Sequence, residues 1–342
     1  MTKPNLSSDS ILLAHGGGGQ LSEDLIRQVI LPRLSETPVE TLTDAAQVSI
    51  NATTVCMTTD SYVVKPLFFP GGDIGKLAVC GTVNDLAVAG AEPIAISLAL
   101  IIEEGFARTD LERIMDSVGQ TAGVCGVTIV TGDTKTVETG SADGIFINTT
   151  GIGRLRPGIQ LGFDVIGTGD VVLVSGTLGD HGLTIMSQRE DIRFESSLRS
   201  DCAPLAGMIE VLLRENNKIR FMRDPTRGGL AASLNEIARA TGHSLLIRQS
   251  DLPINGSVQA AADMLGFDIL NIANEGKFVA VVAAEQAQHC LDLCHQHPLG
   301  KDARLIGEIG GSSATPLVEL ETNIGGRRIV QMPYGRDLPR IC

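Results

Sequence analysis

Apolar and polar positions switch between helical and strand-like spacing along the 342 residues, and the switches predict most of the elements. Between Asp73 and Gly90, residues Leu77, Ala78, Val79, Val83, Leu86, Ala87, Val88 and Ala89 put apolar side chains on nearly every face of a helix. Such a helix is expected to be buried, with Asp73 as its cap and Gly90 as its close. The longest apolar run, Ile94 to Ile102, is too short to span a bilayer and reads as a buried strand. Further helices are predicted over 21–34, over 110–125 with Thr109 in capping position, and over 203–214, 230–240 and 286–295, with another beginning at 183–186. Strands are predicted over 55–60, 127–130, 145–153, 171–174, 245–248 and 278–282. The 127–130 strand is expected to empty into a polar turn, Thr131-Gly132-Asp133-Thr134-Lys135. The order mixes strands and helices without a regular β-α-β alternation, so the fold class is α+β, a mixed α/β architecture. The chain turns polar and glycine-rich near 164–170, which sets a domain boundary there.

The buried helix carries a carboxylate, Asp85, beside Asn84. An ionised acid in an apolar interior needs a cation or donors around it. Either backbone amides satisfy Asp85, or it reaches a metal or phosphate site. Asp60 ends one strand and Asp133 follows another, so three acids share one design. Together they can hold Mg²⁺ against a triphosphate, because Mg²⁺ prefers hard oxygen ligands. Asp44 is a further candidate ligand, and Lys135 can neutralise phosphate charge or move a proton. The run Gly16-Gly17-Gly18-Gly19 can wrap phosphates with backbone N–H groups or serve as a plain flexible loop. Taken with Gly132 and Thr134, these residues favour an ATP site.

Composition narrows the class. A net charge of −13 and only 3% aromatic residues argue against nucleic acid or an anionic membrane as the main partner. Residues 1–10 are polar and lack a signal-peptide core, so a cytoplasmic, reduced chain is expected. Cys290 and Cys294, near His289, His295 and His297, lie one helical turn apart without a second ligand pair, which favours structural thiols over a zinc site. The segment 189–200 is charged and reads as solvated. Segment 331–342 holds Pro333, Gly335 and Pro339 and cannot be a helix. It ends on Cys342, either drift at a disordered end or a thiol carrier on an extendable arm.

The segments His15 to Gln20, Thr59-Asp60-Ser61-Tyr62, Pro66 to Gly72, Asn84-Asp85 and Thr131 to Lys135 resemble one known family. So do Ser175 to Gly182, Arg223 to Gly229, Asn274-Glu275-Gly276-Lys277 and the ending Pro339-Arg340-Ile341-Cys342. The chain resembles the HypE family of hydrogenase maturation factors, carbamoyl dehydratases. They belong to the wider group of aminoimidazole ribonucleotide synthetase, selenophosphate synthetase and thiamine-monophosphate kinase. The ATP-site motifs fit the whole group, and the ending narrows it to one family. The resemblance implies a two-domain PurM-like architecture. Residues 1–35 would form a glycine-rich segment, 36–160 an ATP-binding and dimerising sheet domain, 165–330 a second α/β domain, and 331–342 a flexible tail. It also implies ATP and Mg²⁺ as cofactors, a homodimer, a HypF-type carbamoyltransferase that loads Cys342, and a HypC–HypD complex that receives the cyano group on iron. Lys135 and Glu275 are then the candidate bases for dehydrating the loaded carboxamide to a thiocyanate. Arg227 with Gly228-Gly229 would hold a phosphate or the tail, or simply start a helix; His181 would be catalytic or a structural hydrogen-bonding residue. Two other readings stay open: an ATP-using enzyme acting on a free small molecule, and a non-catalytic scaffold with Cys342 as a docking tail.

Overall fold

A computed structural model describes residues 11–17, 19–34, 43–50, 53–189, 198–215, 218–335 and 340–342. The chain opens on α1 (Gln20–Leu25), which runs through a wider turn, Ile26–Ile30, into α2 (Leu31–Leu34). Strands β1 (Ala46–Ile50) and β2 (Thr53–Tyr62) follow, then a two-residue ribbon of β3 (Phe68–Phe69) and β4 (Gly72–Asp73). Next come α3 (Ile74–Val88), β5 (Ala91–Glu103), α4 (Arg108–Cys125), β6 (Thr128–Val137) and β7 (Ile145–Leu155). The five long strands form a mixed sheet in the order β1-β2-β7-β5-β6.

Helix α3 forms as its pattern predicts. The Asp73 carboxylate accepts from the N–H groups of Gly75 at 2.8 Å and Lys76 at 3.0 Å. Every α3 residue except Lys76 and Asp85 is buried, between the sheet on one side and α4 and the second half of the chain on the others. Helix α4 begins at Arg108, with Ala107 rather than Thr109 at its cap, because the Ala107 carbonyl starts the ladder. It packs Ile114, Val118, Thr121 and Ala122 inward, at helical spacing.

Strand β5 is covered on one face only. Ile96 and Leu100 are buried, whereas Ile101 is 44% exposed. The expectation of a fully buried strand fails because helices cover just one side of this sheet. Its open face carries Val48, Ile50, Met57, Ile101 and Ile152, each 40–55% exposed. Strand β6 runs straight through the predicted turn, so Thr131 to Lys135 lie within it, paired in parallel with β5.

The second half holds β8 (Val171–Val174), α5 (Asp180–Arg189), α6 (Ala206–Arg214), β9 (Ile219–Arg223), α7 (Gly229–Thr241) and β10 (His243–Arg248). There follow α8 (Gly256–Leu265), β11 (Val279–Val282), α9 (Ala284–Gln296), β12 (Arg304–Ser312), β13 (Val318–Glu321) and β14 (Arg327–Ile329). The seven strands order as β14-β13-β10-β12-β8-β11-β9. The apolar β8 and β11 are central and buried on both faces. Val172, Val174, Val279 and Val281 join a core with α5, α7 and α8, while Leu173, Ala280 and Val282 join another with α6 and α9. Cys290 and Cys294 are buried in that second core, and burial pushes both thiols up to about 12, which agrees with a structural role.

Helix α5 starts at Asp180, earlier than expected, so Asp180 and His181 are helical and buried. Leu198 and Ser200 are buried too, against the expectation of a solvated segment; residues 190–197 lie outside the described ones. The two halves share one core that runs from Tyr62, Ile74 and Leu77 to Leu183, Leu230 and Ile341. Asn84 ties them together. Its amide donates to the carbonyl of Ala203 at 3.1 Å, and its oxygen accepts from Leu205 N–H at 2.8 Å.

Candidate active site

The joint between the halves leaves a cleft of ≈ 1120 Å³. Asp60 from β2, Asp85 from α3, Asp44 from the segment before β1, and Arg223, Asp224 and Arg227 around the β9–α7 turn all line it. Each acid has a local reason to point there. Thr58 and Asp60 sit on the α3-facing side of β2, two residues apart, and the Thr58 hydroxyl donates to Asp85 at 2.7 Å. Asp44 pairs with Arg223 at 2.7 Å, and Arg223 also meets Glu236.

The charges in this cleft are out of balance. Burial, and then the neighbouring Asp224, Asp44 and Asp60, hold the Asp85 carboxyl well above the ordinary range. Burial and Asp44 raise Asp224 to about 8. Asp60 is raised by burial, with Arg227 opposing the shift. Acids that raise one another are a donor set for a cation, whose charge would reverse the sign of each effect. Among the described residues no three of them yet converge into a closed metal cage. Donors that are oxygen alone suit a hard divalent cation rather than a soft one.

The tail enters the same joint. Ile341 is buried, its carbonyl lies 2.8 Å from His181 Nε2, and a main-chain oxygen of Cys342 accepts from Val63 N–H at 3.0 Å. Arg340 pairs with Asp143 at 2.7 Å and donates to the Val63 carbonyl at 3.1 Å. Burial, then Glu275, raises the Cys342 thiol, while Arg227 pulls it down. Arg227 in turn is raised by Cys342 first and by Asp60 and Glu275 after burial's opposing effect. Glu275 is 3% exposed, and its Oε1 has no hydrogen-bond partner. Burial, Cys202 and Asp224 push its carboxyl well above the ordinary range, so it holds a proton more tightly than a free carboxylate does. The partly buried Cys342 thiol, the unpartnered Glu275 carboxyl and the Arg227 guanidinium thus act on one another electrostatically.

The glycine run has a second use. A Cβ at Gly17 would lie 2.6 Å from the Gly335 carbonyl oxygen, and one at Gly19, where φ is +74°, would collide with Pro333. Gly17 and Gly19 therefore let the N-terminal segment pass against the chain leading into the tail, while Gly16 has open space beside it. Gly18 lies outside the described residues.

Four predicted site residues are elsewhere. Gly132, Asp133, Thr134 and Lys135 are exposed on the edge strand β6. In the sheet, Asp60 pairs with Thr149, Thr149 with Leu98, and Leu98 with Gly132. Asp133 is one residue further on and so faces the opposite side, three strands or about 14 Å away. Its carboxylate is held below the usual range by Lys135, 2.6 Å away. A single chain does not bring this pair to the cleft. Asp224 is the functional candidate that the sequence reading passed over. It stood inside the noted run Arg223 to Gly229, but an Asp before Pro225 looks like an ordinary turn residue.

Comparison with known proteins fits this geometry. Two family models match: AIR synthase related protein, N-terminal domain, over residues 42–155, and its C-terminal domain over 167–317. The fold and the shared cleft thus define an AIR synthase related protein. The carbamoyl dehydratase HypE of Rhizobium leguminosarum bv. viciae is 46% identical over 341 residues, covering 99% of this chain and 97% of the relative. That of Escherichia coli K12 is 43% identical over 339 residues, covering 98% and 100%. The chain belongs to the HypE family. A HypE–HypF complex matches with TM-score 0.85 at 46% identity, covering 90% of this chain and 99% of the other. A HypE in complex with ATP matches with TM-score 0.82 at 42% identity, covering 97% and 100%. A ThiL complexed with AMPPCP and TMP, at 19% identity and TM-score 0.69, shares the fold. Among the described residues no helix is long and apolar enough to cross a membrane.

Proposed function

We propose that this chain is an ATP-dependent carbamoyl dehydratase that turns a carboxamide carried on Cys342 into a thiocyanate. The observation that carries the reading is the docked tail: Ile341 is buried against His181, and the Cys342 thiol feels the charges of Glu275 and Arg227. An amide oxygen is a poor leaving group. Transfer of the ATP γ-phosphoryl group to it makes phosphate the departing species. Loss of both nitrogen protons then leaves S–C≡N on the cysteine, with ADP and phosphate released. Glu275 takes a nitrogen proton, and Arg227 stabilises the negative charge of the phosphorylated oxygen. Asp60, Asp85, Asp224 and Asp44 would hold Mg²⁺, which supplies charge neutralisation for phosphoryl transfer.

Lys135 and Asp133 join the site from a second copy of the chain. The open sheet face, with Val48, Ile50, Met57, Ile101 and Ile152, is an apolar patch suited to burial against its own twin. The working assembly is then a homodimer in the cytoplasm. It is loaded by a HypF-type carbamoyltransferase and unloaded onto iron in a HypC–HypD complex. The test is intact mass after incubation with carbamoyl phosphate, the loading enzyme and ATP. We expect a carbamoyl addition on the last peptide, then loss of one water that needs ATP. Modification at any other residue would overturn the reading.

A further inference from the structure

His181 is fully buried, yet the dehydration chemistry has no use for it. Its ring is held edge-on by Phe69, 5.5 Å between centroids, and both nitrogens are engaged. Nδ1 lies 2.8 Å from Ser200 Oγ, and Nε2 lies 2.8 Å from the Ile341 carbonyl. Ser200 Oγ already accepts from Cys202 N–H at 3.1 Å, so the hydroxyl proton is free to point at Nδ1. Nδ1 is then the acceptor, and Nε2 carries the ring proton and donates it to Ile341. The opposite tautomer would set a nitrogen lone pair against a carbonyl oxygen. Burial holds the imidazole below its ordinary pKa, so the neutral, single-proton form prevails.

This relay meets the tail from one side while Val63 meets it from the other. Val63 N–H donates to a main-chain oxygen of Cys342 and Val63 C=O accepts from Arg340. Every one of these bonds ends on backbone or on Arg340; none uses the Cys342 sulfur. The grip therefore does not depend on what the sulfur carries.

We propose that His181 is a positioning residue for the dehydration, the donor that fixes the reach of the tail through the Ile341 carbonyl, with Ser200 setting its tautomer. The inference rests on the proposed carrier role of Cys342, and the test separates the two. The full-length, unloaded protein is labelled with N-ethylmaleimide, and each cysteine peptide is followed by mass spectrometry. His181→Ala raises the labelling rate of Cys342 about tenfold, the scale set by losing one buried hydrogen bond. Buried Cys56 and Cys294 keep their slow rates as internal controls. His181→Gln, whose amide can still donate, restores most of the protection. Ser200→Ala gives a smaller rise, about threefold, and carries the test if His181→Ala does not fold. With preloaded tail, His181→Ala lowers turnover while the KM for ATP stays unchanged. Equal Cys342 rates in the wild type and the variants, or a parallel rise at Cys56 and Cys294, overturns the clamp. Labelling needs no carbamoyl chemistry, so that result leaves the dehydratase reading standing. Conversely, a clamp that holds in a protein unable to dehydrate its tail would sink the reading alone.

Discussion

The acidic cleft and the β6 edge contain the same residue types in opposite states. In the cleft, Asp224 is buried and Asp85 partly buried, and burial and neighbouring acids raise both carboxyls. At the edge, Asp133 is exposed and satisfied by Lys135 at 2.6 Å. The difference separates two ways of belonging to a site. An unbalanced buried group costs stability and persists where a ligand will complete it. A balanced exposed pair costs nothing and contributes little, until another molecule buries it. On the proposed reading the cleft is half of a site in its own right, whereas the edge becomes functional only against a second copy of the chain.

The largest effects should come from the cleft and the tail. Cys342→Ala removes the carrier, and we expect no cyano-group formation with nucleotide affinity within about twofold of wild type. Normal product from that variant would end the carrier role. Asp85→Asn should lower Mg²⁺–ATP turnover about 10²–10³-fold. Its fold should be at least as stable as the wild type at neutral pH, because Asn keeps the shape and cannot ionise where burial and neighbouring acids oppose the charge. Urea denaturation beside turnover decides the matter. An unfolded variant with wild-type affinity per folded molecule would make Asp85 purely structural.

The comparison is sharpened by mixing two dead proteins. Lys135→Ala alone should lose about 10²-fold in turnover. If the edge serves the partner's cleft, co-refolding Lys135→Ala with Asp85→Asn regenerates one intact site in each mixed dimer. Random reassortment then restores about a quarter of wild-type activity. A mixture as inactive as its parents would return Lys135 to its own chain and remove the proposed division between the regions.

Much of this was legible in the sequence, for reasons that differ by residue. Helix α3 was readable because its cap, apolar sides and closing glycine all agree, and Asp85 stood out because an acid does not belong there. Of the expected acids Asp44, Asp60, Asp85 and Asp133, the first three line one cleft and Asp133 does not, while Arg227 and Glu275 act on the tail's thiol. Strand β5 misled because a run of apolar residues does not tell a strand buried on both faces from one whose second face is left for another chain. Thr131 to Lys135 misled because Gly, Asp and Thr together look like a turn, whereas pairing with β5 keeps them extended. Asp224 was hidden by its proline. The docked tail was hidden by its composition: Pro and Gly announce that helix is absent, and Val63, Asp143 and His181, far away in sequence, help to give it a place.

The mildest prediction concerns protons. The Asp224 carboxyl sits near 8 in the folded protein against an ordinary 3.8. A raised acid stabilises the fold fully below its unfolded pKa, and this contribution is lost as pH rises towards 8. The apo protein should therefore lose resistance to urea between pH 5 and 8. Asp224→Asn, which cannot ionise, should flatten that slope without removing it, since Asp85 and Glu275 titrate in the same direction. Mg²⁺ acts on the same equilibrium with opposite sign, because it requires the ionised acid. Binding at neutral pH should release about one proton, and fewer from the variant, measurable by calorimetry in two buffers of different ionisation heat. The Asp133–Lys135 edge supplies the control. Its acid is already ionised at every pH in this range, so Asp133→Asn should leave both the slope and the proton count unchanged. Parallel pH profiles for wild type and Asp224→Asn would mean that the cleft is better hydrated than its burial implies, and the contrast between the two regions would shrink to one of position.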